Sequence, residues 1–171
     1  RSQLRVEPVI PAHLSAVLQK LRDCGCQLEI DQTGISITSG DIQAVDITTQ
    51  PFPGFPTDLQ APFMALMATA QGTSVISEKI YENRLQHVAE LQRMGASIRV
   101  DGSTAIVEGV AQLSAAPVTG SDLRAAAAMV LAGLAANGTT KVSGLRHLDR
   151  GYDKVEAKLN AVGAQLERQQ G

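Results

Sequence analysis

Apolar residues recur along this chain at spacings that predict alternating helices and strands. The i, i+3, i+4, i+7 spacing of a helix with one buried face is shown by Leu14, Val17, Leu18 and Leu21. Similar stripes occur in segments 85–94 and 155–162, and each predicts another half-buried helix. All three segments are followed by a glycine, the residue typical of helix C-termini.

Two further segments are apolar on nearly every side. Residues 63–70 and 125–136 consist mainly of alanine, methionine and leucine, and such helices are buried on most faces rather than one. Thr57 and Gln60 precede the first of them with the spacing of a capping box, in which two side chains satisfy free backbone N–H groups. We therefore predict two core helices.

Short segments rich in β-branched residues lie between the predicted helices. Asp101-Gly102 joins two of them and is a strong signal for a hairpin. Strands are predicted at 4–6, 28–30, 35–37, 73–77, 97–100, 104–107 and 140–143.

One short motif occurs three times, which indicates an internal repeat. A leucine near the end of a helix is followed four residues later by a glycine, and these glycines (Gly25, Gly95 and Gly163) lie 70 and 68 residues apart. We predict an α/β (α+β) fold of βαβαββ units, with a partial repeat at 1–47, a full repeat at 48–110 and a near-full repeat at 111–171. The first of these two and a half repeats lacks its buried helix. We therefore expect an apolar surface that another chain or a segment outside this sequence covers.

The composition narrows the functional classes. The chain has 171 residues, 44% of them hydrophobic, and a net charge of −2, so its surface has no bias toward nucleic acid. Aromatic residues make up only 3%, which argues against base stacking. No segment has the ~18 apolar residues of a membrane span, and no signal peptide is evident.

The cysteines indicate a reducing compartment. Cys24 and Cys26 are too close in sequence for an ordinary disulfide, and the chain has no other cysteine. We expect two reduced, buried thiols and a cytoplasmic location. Because the sequence begins at Arg1 and not at methionine, we also expect it to be a piece of a longer protein.

Charged residues occupy equivalent positions near the two predicted core helices. Asp58 and Asp122 follow the predicted helix starts, where the helix dipole alone favours a carboxylate. Arg124 lies in a first helical turn and opposes that dipole, so Asp122 or an anionic ligand is expected to compensate its charge.

Arg84 and Arg150 each precede the second helix of their repeat. They either form surface ion pairs with Glu82 and Asp149 or bind an anion, and the sequence does not decide between these alternatives. No metal site or cofactor is predicted, and surface or capping positions are expected for His13, His87 and His147.

Several motifs, taken together and in order, resemble the UDP-N-acetylglucosamine 1-carboxyvinyltransferases of the enolpyruvyl transferase family. They are Phe55-Pro-Thr-Asp-Leu-Gln60, Glu82-Asn-Arg84, Leu91-Gln-Arg-Met-Gly-Ala96, Ser121-Asp-Leu-Arg-Ala125 and Asp149-Arg-Gly-Tyr152. The resemblance covers essentially the whole chain. It implies most of the C-terminal lobe of a two-lobed enzyme, each lobe an inside-out α/β barrel with helices inside and sheets outside.

The resemblance also implies an activity and its residues. The family adds a sugar 3-hydroxyl to phosphoenolpyruvate and then eliminates phosphate, as the first committed step of peptidoglycan synthesis. Asp58 would accept the hydroxyl proton, and Thr57 and Ile80 would lie against the UDP-sugar. The carboxylate and phosphate of phosphoenolpyruvate would be held by Arg84, Arg124 and the catalytic Arg150, with Asp122 orienting these arginines.

Catalytic features that the family carries outside the C-terminal lobe are missing from this sequence. The proton-donating cysteine of the family and a lysine-asparagine pair near its N-terminus are absent, and neither Cys24 nor Cys26 matches that cysteine. We expect the chain to be inactive without the missing N-terminal lobe. Two alternatives stay open: a non-catalytic module that binds a nucleotide-sugar or a partner, and a lobe of 5-enolpyruvylshikimate-3-phosphate synthase.

Overall fold

The computed structural model describes residues 2–169. The α-helices in this range are α1 (Ser15–Asp23), α2 (Gln60–Met67), α3 (Val88–Arg93), α4 (Leu123–Ala135), α5 (Leu145–Leu148) and α6 (Val155–Ala161). The strands are β1 (Gln3–Val6), β2 (Gln27–Ile30), β3 (Ile35–Thr38), β4 (Ile47–Thr48), β5 (Thr73–Ser77), β6 (Ser97–Asp101), β7 (Thr104–Glu108), β8 (Leu113–Ser114), β9 (Pro117–Thr119), β10 (Ala136–Asn137) and β11 (Lys141–Ser143).

The first part of the chain forms an antiparallel sheet with one helix. The strand order is β1-β3-β2, and Ile37 of the central strand lies between Leu4 and Leu28. Pro11 opens a 3₁₀ turn that leads into α1, as its fixed φ favours. The predicted strands at 28–30 and 35–37 are confirmed and pair as an antiparallel hairpin around Gly34.

The middle part contains the complete βαβαββ order. Strands β4 and β5 are parallel and connected by α2. On its other side β5 pairs antiparallel with β7, and β7 pairs antiparallel with β6. The hairpin at Asp101-Gly102 is confirmed, with Ile98 opposite Val107. Gly102 has a φ of 57°, the left-handed conformation that such a turn needs.

The last part repeats the crossover. Strands β9 and β11 are parallel and α4 connects them, while β8 pairs in parallel with β10. Helices α5 and α6 follow β11. The strands described here form four separate sheets and no closed barrel. The α/β class is therefore confirmed, while the repeat boundaries stay a prediction.

The core lies around α2 and α4, which pack against each other. Met64, Met67 and Met129 are fully buried, and alanines fill much of the remaining contact. The prediction that both helices are buried is confirmed. The turn before α2 and the first turn of α4 lie close together, because Asp58 and Arg124 are in contact, and this side of the molecule carries the candidate site.

Two local predictions are wrong. Thr57 and Gln60 form no capping box: Thr57 lies in a 3₁₀ turn whose N-cap, Pro56, makes no side-chain bond, and the Thr57 hydroxyl bonds elsewhere. Helix α3 begins at Val88, later than the apolar stripe suggests. Across residues 2–169, no helix has both the length and the apolar character needed to cross a membrane.

Candidate active site

Asp58 lies at the centre of the charged side chains on this side of the molecule. It is in the 3₁₀ turn Thr57–Leu59, just before α2. Its Oδ1 atom accepts hydrogen bonds from Arg124 Nε at 2.7 Å and from Arg84 Nη1 at 3.4 Å. The hydrogen bond from Arg124 is the main reason that the pKa of Asp58 lies below its ordinary value. Because 62% of its side chain stays exposed, the ionised carboxylate is open to a ligand.

Two carboxylates compensate the charge of Arg124 at the start of α4. Asp122 is the N-cap, and its Oδ1 accepts from the backbone N–H groups of Arg124 and Ala125 at 2.7 and 3.1 Å. The guanidinium meanwhile turns to Asp58, which raises the pKa of Arg124. The expected compensation by Asp122 is present, and Asp58 is a second partner that the sequence did not indicate.

Arg84 reaches the same carboxylate from the loop after β5. Its Nη1 donates to Thr57 Oγ1 at 2.6 Å, and its guanidinium carbon lies 4.1 Å from the centroid of the Tyr81 ring. Within the described chain, Arg84 forms an ion pair with Asp58 and none with Glu82, which was one of the two alternatives from the sequence. Asn83 has a φ of 54°, a left-handed conformation that asparagine tolerates better than most residues. This turn gives Asn83 a local structural role.

A buried carboxylate, Glu78, underlies these contacts. Glu78 follows β5 directly and is 2% exposed. Its two oxygens accept from the hydroxyls of Thr49 and Thr57, both at 2.8 Å. They also accept from the backbone N–H groups of Ile80 and Tyr81 at 2.8 and 3.1 Å. We refer to Thr57, Asp58, Glu78, Arg84 and Arg124 as the Asp58 cluster.

Two of the predicted site residues, Ile80 and Arg150, make no side-chain hydrogen bond or ion pair with the Asp58 cluster in the described structure. Ile80 lies beside the cluster, since its backbone N–H donates to Glu78 and its side chain is partly exposed. Arg150 follows α5 and forms no ion pair within the described residues. The next residue, Gly151, packs against Leu123 in the first turn of α4. The backbone next to Arg150 therefore lies near the start of α4, while no hydrogen bond or ion pair joins its guanidinium to the cluster in the described structure.

The sequence predicted a surface or capping position for His87. It occupies the N-cap position of α3, but it is buried and its side chain forms no capping hydrogen bond. It is 3% exposed, and burial lowers its pKa to about 4. Its Nε2 atom has no hydrogen-bond partner in the described part of the chain. His87 is thus neutral at pH 7, and Asp122 is a charged group close enough to oppose the shift.

Two other sequence predictions concern residues outside the Asp58 cluster. Cys24 and Cys26 are both buried free thiols, as expected, and the Cys24 thiol donates to the Leu21 carbonyl oxygen. Asp149 pairs with Arg168, and not with the neighbouring Arg150. Within residues 2–169, no group of three or more His, Cys, Asp or Glu side chains is arranged to hold a metal ion.

The Asp58 cluster combines two chemical capacities. Guanidinium groups with exposed edges bind carboxylate and phosphate oxygens. A carboxylate that is ionised at neutral pH and within reach of a hydroxyl can accept its proton. The fold and the cluster together define an α/β domain that carries, at its edge, an exposed carboxylate paired with two guanidinium groups.

Comparison with known proteins gives the family. The model of the EPSP synthase (3-phosphoshikimate 1-carboxyvinyltransferase) family matches residues 1–159. The chain therefore belongs to this family of enolpyruvyl transferases, which confirms the family resemblance seen in the sequence.

Individual relatives are more specific. The chain is 97% identical over 171 residues to a UDP-N-acetylglucosamine 1-carboxyvinyltransferase of Parasynechococcus marenigrum (strain WH8102) and covers 40% of that protein. An enzyme of the same name from Synechococcus sp. (strain CC9605) is 80% identical over 168 residues, which are 98% of this chain and 39% of the relative. The chain thus spans about 40% of the length of these curated relatives.

A solved structure supports the fold. The crystal structure of the enolpyruvyl transferase NikO from Streptomyces tendae matches with a TM-score of 0.87 at 27% identity. The match covers 96% of this chain and 39% of NikO.

Proposed function

We propose that this chain is part of a transferase that moves the enolpyruvyl group of phosphoenolpyruvate to the 3-hydroxyl of UDP-N-acetylglucosamine. The observation that carries the proposal is the Asp58 carboxylate, which is exposed and held between Arg124 at 2.7 Å and Arg84 at 3.4 Å. Such a group can receive a proton beside a site for a phosphorylated, carboxylated substrate. The names of the 97% and 80% identical relatives support this choice of substrates.

The proposed reaction has two steps. In the addition, the sugar O3 bonds to C2 of phosphoenolpyruvate, Asp58 takes the O3 proton, and C3 receives a proton from a donor outside this chain. In the elimination, the C2–O bond to phosphate breaks, phosphate leaves, and C3 loses a proton. The ion pair with Arg124 keeps Asp58 ionised and ready to accept, which a general base needs.

Each residue of the site has a proposed role. Arg84, Arg124 and Arg150 hold the carboxylate and phosphate of phosphoenolpyruvate, because a guanidinium binds such oxygens in pairs. For Arg150, this role requires its side chain to turn toward the cluster when the substrate binds. Asp122 orients Arg124 through the start of α4, to which it is hydrogen-bonded. Thr57 and Ile80 contact the UDP-sugar.

The chain supplies one side of the proposed site. We infer that it belongs to a C-terminal lobe with helices inside and sheets outside, and the packing of α2 against α4 between sheets supports this arrangement. An N-terminal lobe would complete the cleft, so we expect this chain alone to be inactive. A cytoplasmic enzyme of peptidoglycan synthesis, with a role in cell-wall formation, cell shape and division, fits the free thiols of Cys24 and Cys26.

Phosphate release from phosphoenolpyruvate by the full-length protein tests the proposal. We expect turnover with UDP-N-acetylglucosamine and none with shikimate 3-phosphate. This chain alone, at the same concentration, should release no phosphate. Addition of the separately produced N-terminal lobe should restore part of the turnover.

Other outcomes would favour the alternatives. Turnover with shikimate 3-phosphate only would identify a 5-enolpyruvylshikimate-3-phosphate synthase. Binding of UDP-N-acetylglucosamine by the full-length protein, without turnover of phosphoenolpyruvate, would identify a non-catalytic nucleotide-sugar module. Either result would contradict the proposed function.

A further inference from the structure

Glu78 is a buried charge that the proposed reaction does not use. It is 2% exposed, and in the described structure its hydrogen-bond partners are two hydroxyls and two backbone N–H groups, none of them charged. Burial favours the neutral form, but the donated hydrogen bonds outweigh it, so the pKa of Glu78 lies below its ordinary value. A buried carboxylate that stays ionised without a cationic partner needs an explanation.

Three of the four partners of Glu78 belong to two segments that carry the proposed site. One oxygen accepts from Ile80 N and Tyr81 N, which fixes the loop after β5. The other accepts from Thr57 Oγ1, in the turn before α2. The two segments are distant in sequence, since Thr57 and Glu78 are 21 residues apart.

The charge of Glu78 also determines how Thr57 bonds. Arginine only donates hydrogen bonds, so Thr57 Oγ1 accepts the 2.6 Å bond from Arg84. The single hydroxyl proton of Thr57 is then free to be donated to Glu78, 2.8 Å away. An amide or a protonated acid at position 78 would offer a donor where the carboxylate accepts. Only the ionised carboxylate satisfies this arrangement completely.

We propose that Glu78 is a positioning residue: its buried carboxylate links the turn before α2 to the loop after β5, the two segments that carry Asp58 and Arg84. The link holds the Arg84 guanidinium against Thr57, so Arg84 stays 3.4 Å from Asp58 and leaves the shorter contact to Arg124. Without it, the base and the anion-binding arginine would lose their fixed separation. This inference rests on the proposed function.

Glu78→Gln in the full-length protein tests the proposal, because it keeps the shape of the side chain and removes its charge. We expect kcat for phosphate release to fall about 10- to 100-fold, the cost of a small misplacement of catalytic groups. If Glu78 acts through Thr57, the losses in Glu78→Gln and Thr57→Val do not multiply. The double variant should lie within about threefold of the slower single variant.

Glu90→Gln is the matched control. Glu90 is a partly buried glutamate that accepts from the backbone N–H of Thr119 and pairs with Arg93, and in the described structure no hydrogen bond or ion pair joins it to the Asp58 cluster. We expect wild-type kcat in this variant. Melting temperatures of all variants separate lost stability from lost turnover, since a merely structural role would lower the melting temperature and leave kcat of the folded enzyme unchanged.

The outcomes distinguish the two proposals. An inactive wild-type protein would overturn the proposed function and this inference with it. An active wild type would overturn the inference alone if Glu78→Gln had the kcat of Glu90→Gln, or if the losses with Thr57→Val multiplied. If Glu78→Gln fails to fold, Thr49→Val serves as the second test. It removes a hydrogen-bond donor to Glu78, and Thr49 itself lies outside the proposed site. A several-fold loss of kcat then supports the inference, and wild-type kcat overturns it.

Discussion

Replacing Asp58 with asparagine should separate activity from stability. Asp58→Asn keeps the size of the side chain but removes the negative charge that Arg124 and Arg84 share. The side chain is 62% exposed, so water already screens both ion pairs. Exposed pairs of this kind contribute ~0.2–1 kcal/mol each. Arg84 also keeps its bond to Thr57. We therefore expect the free energy of unfolding to fall by about 1 kcal/mol or less.

The expected loss of activity is much larger. A positioned general base accelerates proton transfer ~100- to 10,000-fold. At ~1.4 kcal/mol for each factor of ten, this corresponds to about 3–5.5 kcal/mol of transition-state stabilisation. Phosphate release by full-length Asp58→Asn should therefore be at least about 100-fold slower in kcat, while its urea unfolding curve stays close to that of the wild type.

A matched variant gives the comparison. Asp31 also pairs with an arginine, Arg5, but in the β1-β3-β2 sheet and away from the site. Asp31→Asn should show a similar or greater loss of stability with wild-type kcat. Wild-type kcat in Asp58→Asn would refute the assignment of Asp58 as the base, and a loss of several kcal/mol in its free energy of unfolding would refute the reasoning from exposure.

Three further predictions concern pKa values and the backbone. Arg124→Ala should raise the pKa of Asp58 toward its ordinary 3.8, followed by carboxyl NMR, because the Arg124 hydrogen bond is the main cause of the lowered value; an unchanged pKa would contradict that cause. Burial lowers the pKa of His87 to about 4 from 6.5, so the unfolded chain binds more protons between these values. The free energy of unfolding should fall as pH decreases from about 6.5 to about 4, less so in His87→Gln. Gly95→Ala should lower the free energy of unfolding in urea by about 1–2 kcal/mol, because of its positive φ alone. Gly144→Ala should lower it clearly more, because its Cβ would also overlap a backbone carbonyl oxygen. Equal losses in the two variants would contradict this overlap.

Local signals in the sequence were sufficient for most of the secondary structure. Strand β5 has the predicted bounds, 73–77, because β-branched residues follow a glycine that ends the preceding helical segment. The Asp101-Gly102 hairpin was also predictable, since a two-residue turn of this type fixes its own geometry. The start of α3 was not: the apolar stripe extends to Leu85, but the helix begins only at Val88.

The site was predictable only where the repeat or the resemblance marked it. Asp58 was marked by its equivalent Asp122, and Arg124 by its positive charge at a helix start, but their contact joins residues 66 apart and depends on the packing of α2 on α4. Glu78 carried no signal, because a single glutamate at the end of a strand reads as a solvated residue. Its partner Thr49 lies 29 residues away in sequence. Buried polar networks depend on tertiary contacts that no local pattern records.

The alanines of α4 limit how the site can change in evolution. Ala128 and Ala132 are buried in the same cluster as the residues of α2, where a close-packed core leaves little room for a longer side chain. A larger residue at either position would push α4 away from α2. Arg124 would move with its helix and lose its 2.7 Å contact with Asp58. Residues that never meet a substrate thus act as spacers for the reaction centre, and we expect them to vary as little as the charged residues that they align.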